Sequence, residues 1–338
     1  MKRAFMLLVC LSLLAGLLCG CGGRAAQAGE RPSVVVTIYP IYDWVMNLLG
    51  DRASDWDVTL LLDSGTDMHS YQPSVEDIVT ISACDLLIYV GGESDAWMDD
   101  ALRGEVNPDM VVLNLLDILG DSTLDEETVE GMQTGEEDGE VPDEHVWLSL
   151  RNAASFCRAI RQELSRLDPG HAADYAANEA AYQEKLSELD SRYVHWIGNA
   201  ACHTLLFADR FPFRYLCADY DLDYYAAFSG CSAETEASFE TVAFLADKLK
   251  ELDLPAVCVL ERSEDFGALA NTVVKAAGMD VPAISIDSMQ SYTENYQTTG
   301  GYLGAMEYNL PMLLIALNGP EAMNASAEKF ECIYYIPR

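Results

Sequence analysis

The sequence predicts an α/β protein of two lobes with mostly parallel sheets, joined by a long rigid connecting helix. Three observations carry this. β-branched runs alternate with segments of helical periodicity through the first half of the chain. The same alternation resumes after residue 200 without detectable sequence repetition. Between the two, the stretch from His171 to about Trp196 is rich in Ala, Glu, Leu and Gln and contains neither Pro nor Gly. At 1.5 Å per residue it makes a helix of roughly 40 Å, long enough to cross the molecule, so a stiff connector is expected rather than a flexible hinge.

The chain opens with Met1-Lys2-Arg3, an apolar run from Ala4 to Leu18, and then Cys19-Gly20-Cys21. A basic start, a short apolar core and small residues read as an export signal over 1–20, too short for a comfortable membrane span. Its end resembles a bacterial lipobox. Cys21 is the expected lipidated residue, because Cys19 follows Leu18 rather than a small residue. A tether over 21–32 and an extracytoplasmic protein held to the cell membrane by its lipid follow.

The N-terminal lobe is expected over 33–167. Ser33 to Ile38 is a β-branched run that reads as a buried parallel strand, Tyr39-Pro40 breaks it, and Ile41 to Leu49 has helical spacing. Trp56 to Leu62 is the next strand and delivers the chain into a polar turn around His69. Pro73-Ser74 opens a helix to about Ser82, with Pro73 suited to the first turn, where its missing donor costs little. Asp85 to Val90 and Met110 to Leu115 are strands on either side of a helix from Asp95 to Leu102. Ligands of such sheets sit beyond the carboxyl ends of strands, the position of the His69 turn. Residues 121–144 are rich in Asp, Glu and Gly without apolar periodicity, and are expected to form a mobile solvated loop. Beyond His145 an amphipathic helix runs from Leu150 to Leu167 and stops at Asp168-Pro169-Gly170. The connecting helix occupies 168–199.

The C-terminal lobe is expected over 200–318. Strands are read at Thr204 to Ala208, Tyr224 to Phe228, Ala256 to Leu260 and Ala283 to Ile286. Helices are read at Phe213 to Tyr220, Ala237 to Leu252, Phe266 to Ala277 and Gly301 to Leu317. The tail, 319–338, has no assignment.

Composition narrows the function. The 20 basic and 55 acidic residues give a net charge of −35, and losing Lys2 and Arg3 with the signal makes it −37. Such a surface repels nucleic acid and attracts cations. Of the ten cysteines, Cys10, Cys19 and Cys21 belong to the signal, and the other seven are scattered with no C-x-x-C spacing. Most read as small buried hydrophobes; a bridge between Cys217 and Cys231 stays open. There is no Gly-x-Ser-x-Gly elbow, Walker A loop or His-Glu-x-x-His. Only five histidines occur, and two of them, His69 and His145, stand in short segments among acidic, aromatic and turn-forming residues. Neutral imidazole is the commonest protein metal ligand, so this pair suggests a divalent-metal site.

Those two segments carry a family resemblance. Gly65-Thr66-Asp67-Met68-His69-Ser70-Tyr71-Gln72-Pro73-Ser74 resembles the Gly-x-Asp-x-His-x-Tyr-x-Pro-Ser/Thr signature of the ZnuA/TroA-like family, the zinc- and manganese-binding lipoproteins that feed ABC importers. Asp143-Glu144-His145-Val146-Trp147-Leu148, followed by Asn152-Ala153, resembles its second ligand motif. Element order agrees from Val35 to about Leu317.

The resemblance implies a metal held in the cleft between the lobes by four side chains. His69 and His145 carry over directly. Asp287, at the end of a predicted strand, matches the family's last carboxylate. At the fourth position this sequence departs, because the family's His or Glu aligns with Arg210, which stays protonated and offers no lone pair. Either the neighbouring Asp209 ligates, which is the preferred reading, or Arg210 binds a carboxylate there and leaves three protein ligands plus water, or the site has weakened. Glu236 matches a family loop and is expected, with Arg210, to support the ligands and hold the lobes together. Zinc is the first choice of metal and manganese the second; without thiolates nothing favours copper(I). The histidine-rich loop of zinc-specific relatives is replaced by the acidic loop. The resemblance therefore implies a monomeric capture protein, not an enzyme, whose partners are the metal ion, an ABC permease and, through its anchor, the membrane. The alternatives are an exported metallohydrolase on the same histidines and a surface adhesin on the same scaffold.

Overall fold

The structure, a computed structural model, describes residues 31–133, 141–232, 236–260 and 267–321. Cys21, the signal and the tail beyond residue 321 lie outside the described residues. β1 (Ser33–Val36) is a buried β-branched run, and α1 (Tyr39–Leu49) follows at once because Pro40 is acceptable in a first turn. The chain continues through β2 (Asp57–Leu60), α2 (Val75–Ala83), β3 (Leu86–Tyr89), α3 (Trp97–Leu102), β4 (Val111–Asn114) and α4 (Leu115–Leu119). Next come α5 (Leu150–Leu167) and α6 (Ala172–Ile197). The second half runs β5 (Thr204–Phe211), α7 (Arg214–Tyr220), β6 (Asp223–Ser229), α8 (Phe239–Glu251), β7 (Val257–Leu260), α9 (Ala268–Ala277), β8 (Ala283–Ile286), α10 (Asn295–Thr298) and α11 (Gly301–Asn318).

Two four-stranded sheets result, ordered β2-β1-β3-β4 and β6-β5-β7-β8, and every pairing is parallel. The second half thus repeats the first in topology with no sequence trace. α6 has 26 residues, about 39 Å at the helical rise, and packs on α1, α5 and α11. α11 also crosses between the halves. Trp44 of α1 meets Tyr302 of α11 edge-on, and the Tyr302 hydroxyl donates to the Trp147 carbonyl over 2.7 Å. One apolar core takes residues from both sheets, from Val34 to Leu317, and a second lies on the outer face of the second sheet around Leu206, Leu245 and Val273. The chain from Pro32 onward is accordingly one compact unit.

Two expectations need correction. Pro73 precedes α2 instead of sitting in its first turn, because Ser74 is the cap: its hydroxyl accepts the Asp77 N–H, and the Asp77 carboxylate accepts the Ser74 N–H in return. The described flanks of the acidic loop, though mostly exposed or half-exposed, are anchored by specific contacts. Leu124 N–H donates to the Tyr215 hydroxyl, Arg214 pairs with Glu127 at 3.2 Å, and Gln133 bridges to the β6 backbone with its N–H on the Ala227 carbonyl.

Candidate metal centre

The site forms where strands of both sheets end. His69 lies beyond β2 in a 3-10 turn, Met68–Ser70, capped by Asp67, whose Oδ1 accepts the His69 N–H at 3.0 Å. His145 precedes a second such turn, Val146–Leu148, and Asp143 Oδ1 takes both its backbone N–H (2.8 Å) and its ring Nδ1 (3.0 Å). Trp147 clamps this segment to the loop after β8, its Nε1 donating to the Ser288 carbonyl over 2.9 Å.

Each imidazole therefore has its Nδ1 engaged. His69 Nδ1 sits 2.6 Å from Ser94 Oγ, and His145 Nδ1 faces the Asp143 carboxylate, which calls for a proton on that Nδ1; in both rings Nε2 is the nitrogen turned toward the other histidine. The two Nε2 atoms point at one another 3.2 Å apart. Two nitrogens about 2.05 Å from a tetrahedral zinc ion lie roughly 3.3 Å from each other. The Gln290 amide faces both, with Nε2 at 2.7 Å from His69 and 2.9 Å from His145, while its Oε1 accepts the Ser288 hydroxyl at 3.0 Å. A neutral N–H donor thus satisfies the convergent lone pairs that a cation would satisfy better.

Electrostatics favour a neutral ring at His69 and act in the opposite sense at His145. Burial, and then the adjacent His145, push His69 down to about 3. Burial also presses on His145, but the Asp143 charge and hydrogen bond override it and raise that ring. Glu144 is buried and raised by that burial; its Oε1 accepts the Ser94 N–H at 2.7 Å, while Oε2 has no hydrogen-bond partner and lies 3.9 Å from His69 Nδ1. Asp95 tightens the same loop by accepting the Val90 and Gly91 amides.

The structure brings His69 and His145 together, and does not bring Asp209 or Asp287 to them. Asp209 spends its carboxylate on two backbone amides, Arg210 at 2.8 Å and Leu260 at 3.1 Å, because β5 runs on past Ala208 and carries it inside the strand. Asp287 accepts the Tyr296 hydroxyl at 2.7 Å and the Met289 N–H at 2.8 Å, which shapes the loop that presents Gln290. Arg210 binds a carboxylate, as one of the three readings required: Nη2 lies 2.8 Å from Asp67 Oδ2 and ties the His69 turn to β5. The Arg210 charge holds Asp67 below the usual carboxylate range against the opposing effect of burial. Glu236 is exposed, and its bond across the halves runs through its backbone carbonyl, 3.5 Å from Gln133 Nε2.

Sequence reasoning missed Cys231 and Gln290. Among the described residues, the cluster of metal-ligating atoms that includes both histidines is completed by Cys231, all three within 4.8 Å of one another. Cys231 follows β6 in a turn where the Ser232 N–H reaches the Ser229 carbonyl, and its neighbour Gly230 lies so close that a Cβ there would be 2.6 Å from His145 Cε1. Its position just past a strand end was the available signal. Cys217 and Cys231 are both free thiols.

Comparison with known proteins places this geometry. A family described as zinc-uptake complex component A, periplasmic, matches residues 34–314. Zinc-binding lipoprotein AdcA of Streptococcus pneumoniae is 31% identical over 318 residues, 93% of this chain and 60% of that protein. The chain thus spans about three-fifths of the length of that relative. The manganese ABC transporter substrate-binding lipoprotein PsaA of Streptococcus anginosus is 26% identical over 94% of this chain and 99% of its own. The crystal structure of the Zn(II)-bound ZnuA-like domain of Streptococcus pneumoniae AdcA superposes with a TM-score of 0.68 at 28% identity, over 86% of this chain and 100% of that one.

Proposed function

The chain belongs to the zinc-uptake complex component A family, and from that premise we propose that it captures a divalent metal outside the cytoplasmic membrane and delivers it to the permease of an ABC importer. Zinc is the preferred cargo and manganese the second. His69 and His145 are the imidazole ligands, Arg210 and Asp67 hold the His69 turn, and Cys21 carries the lipid anchor of a monomeric protein. One observation supports this most directly: two Nε2 atoms 3.2 Å apart, each on a ring whose Nδ1 is held by a partner. Two ring nitrogens at this separation match the spacing of two ligands on one zinc ion.

Calorimetric titration of the exported chain with zinc and with manganese tests the reading. Submicromolar binding of one ion per chain is expected, weakened by more than about 100-fold in a His69→Ala, His145→Ala double variant, since losing even an outer partner of a ligand costs 10–100-fold. Unchanged affinity in that variant, or no binding by the natural chain, would sink it.

A further inference from the structure

Arg210 offers no lone pair to a metal, but a cysteine beyond the end of a neighbouring strand lies beside the two histidines. Cys231 Sγ stands within 4.8 Å of a ring nitrogen of His69 and of a ring nitrogen of His145, on a turn that Gly230 presses directly against the His145 ring. The surroundings are those of a cation. Glu144 is almost wholly buried, and its Oε2 has no hydrogen-bond partner, with His69 Nδ1 3.9 Å away. Asp143, equally buried, backs His145. Arg210 adds a positive charge, but Asp67 at 2.8 Å already offsets it. Two histidines, a sulfur and, behind the His69 ring, a carboxylate oxygen without a hydrogen-bond partner favour positive charge here, which the neutral Gln290 amide donor supplies only in part.

We propose that Cys231 is the third protein ligand, binding the metal through its thiolate and making the centre selective for zinc over manganese. The assignment rests on the metal-capture reading above. Coordination exchanges the proton of the thiol for the ion: the S–H bond breaks, a sulfur–metal bond forms with the electron pair left on sulfur, and the proton leaves to water. Gln290 must then give up its bonds to the two Nε2 atoms. Turning its amide by half a rotation would present Oε1 to the ion and Nε2 to Ser288 Oγ, which can accept as well as donate. Sulfur is a soft ligand and suits zinc, whereas manganese prefers oxygen. Selectivity would thus come from a residue just beyond β6 in place of the carboxylates expected from β5 and β8.

Cobalt(II) substitution reads the sulfur directly. The natural chain loaded with one cobalt ion should show ligand-field bands of a tetrahedral site together with a near-ultraviolet thiolate-to-cobalt charge-transfer band. In Cys231→Ser the charge-transfer band should vanish while the ligand-field bands persist, and zinc affinity should fall at least tenfold with manganese affinity changed less than threefold. Cobalt bound with ligand-field bands but no charge-transfer band in the natural chain overturns the thiolate and leaves metal capture standing. A charge-transfer band that survives in Cys231→Ser overturns Cys231 as its source. No cobalt or zinc bound at all overturns both readings. The spectrum of the natural chain decides the point even if the variant does not fold.

Discussion

At the scale of single residues, the centre depends on close approach as much as on ligands. Gly230 has no room for a side chain: a Cβ would lie 2.6 Å from His145 Cε1 and 3.0 Å from both Nδ1 and the Phe211 carbonyl, and the last of these is backbone that cannot turn away. Gly230→Ala should therefore displace the His145 ring from Asp143 and lower zinc affinity by about 10–100-fold, the cost of losing an outer partner of a ligand. Titration of that variant checks it; affinity within twofold of the natural chain would show that the turn after β6 is free to move. The histidines were legible in the sequence because each sits in a short local motif with its own cap, Asp67 for His69 and Asp143 for His145. Cys231 and Gln290 were not, because their proximity depends on how two sheets place their strand ends, and no local pattern encodes that. Asp209 stands apart from the two histidines for a related reason. Its carboxylate is adjacent to the expected position, but the extension of β5 to Phe211 gives it backbone amides to satisfy.

At the scale of elements, the fold was legible wherever an element carries its own boundaries. α5 begins on a Ser149 cap and ends where the sequence stops it, at Leu167. α4 was not legible, because β4 runs into it without a break, and neither was the single turn of α10. What joins the elements is less visible still. Asp43 of α1 accepts from Asn47 Nδ2 at 3.1 Å and the Tyr182 hydroxyl at 3.3 Å, and it meets the start of α11 through the Tyr302 amide. Burial pushes it up to about 6 despite these donors. A carboxyl group whose folded value lies above its unfolded 3.8 stabilises the fold fully below that unfolded value and loses the contribution as pH rises through about 6. Thermal melts at pH 4.5 and 7 should therefore show a smaller loss of stability in Asp43→Asn than in the natural chain. Parallel losses in the two proteins would mean that Asp43 does not titrate in this window.

At the scale of the whole molecule, the two sheets do not own separate cores. The larger apolar cluster runs from Val34 and Trp44 through Trp147 and Tyr193 to Phe207, Tyr302 and Leu317, and α6 and α11 each pack against elements of both halves. Neither sheet can lose its packing without exposing apolar surface of the other, so the apo chain should unfold in a single transition. The proposed metal centre draws on both halves as well, through His69 and His145 on one side and Cys231 and Gln290 on the other. An ion bound there stabilises only the folded state, by about 2.7 kcal/mol at a free concentration of 100 times Kd. For a chain of this size that raises the melting temperature by about 5 °C without splitting the transition. The net charge of −35 supplies a competing explanation, since any divalent cation relieves repulsion across an acidic surface. Calorimetric scans distinguish the two. Zinc should shift the transition of the natural chain and leave a His69→Ala, His145→Ala chain where it was, and magnesium at the same concentration should move both equally and little. A zinc shift that survives the loss of both histidines would place the stabilisation on the surface, and a second transition on zinc binding would mean that the halves fold independently.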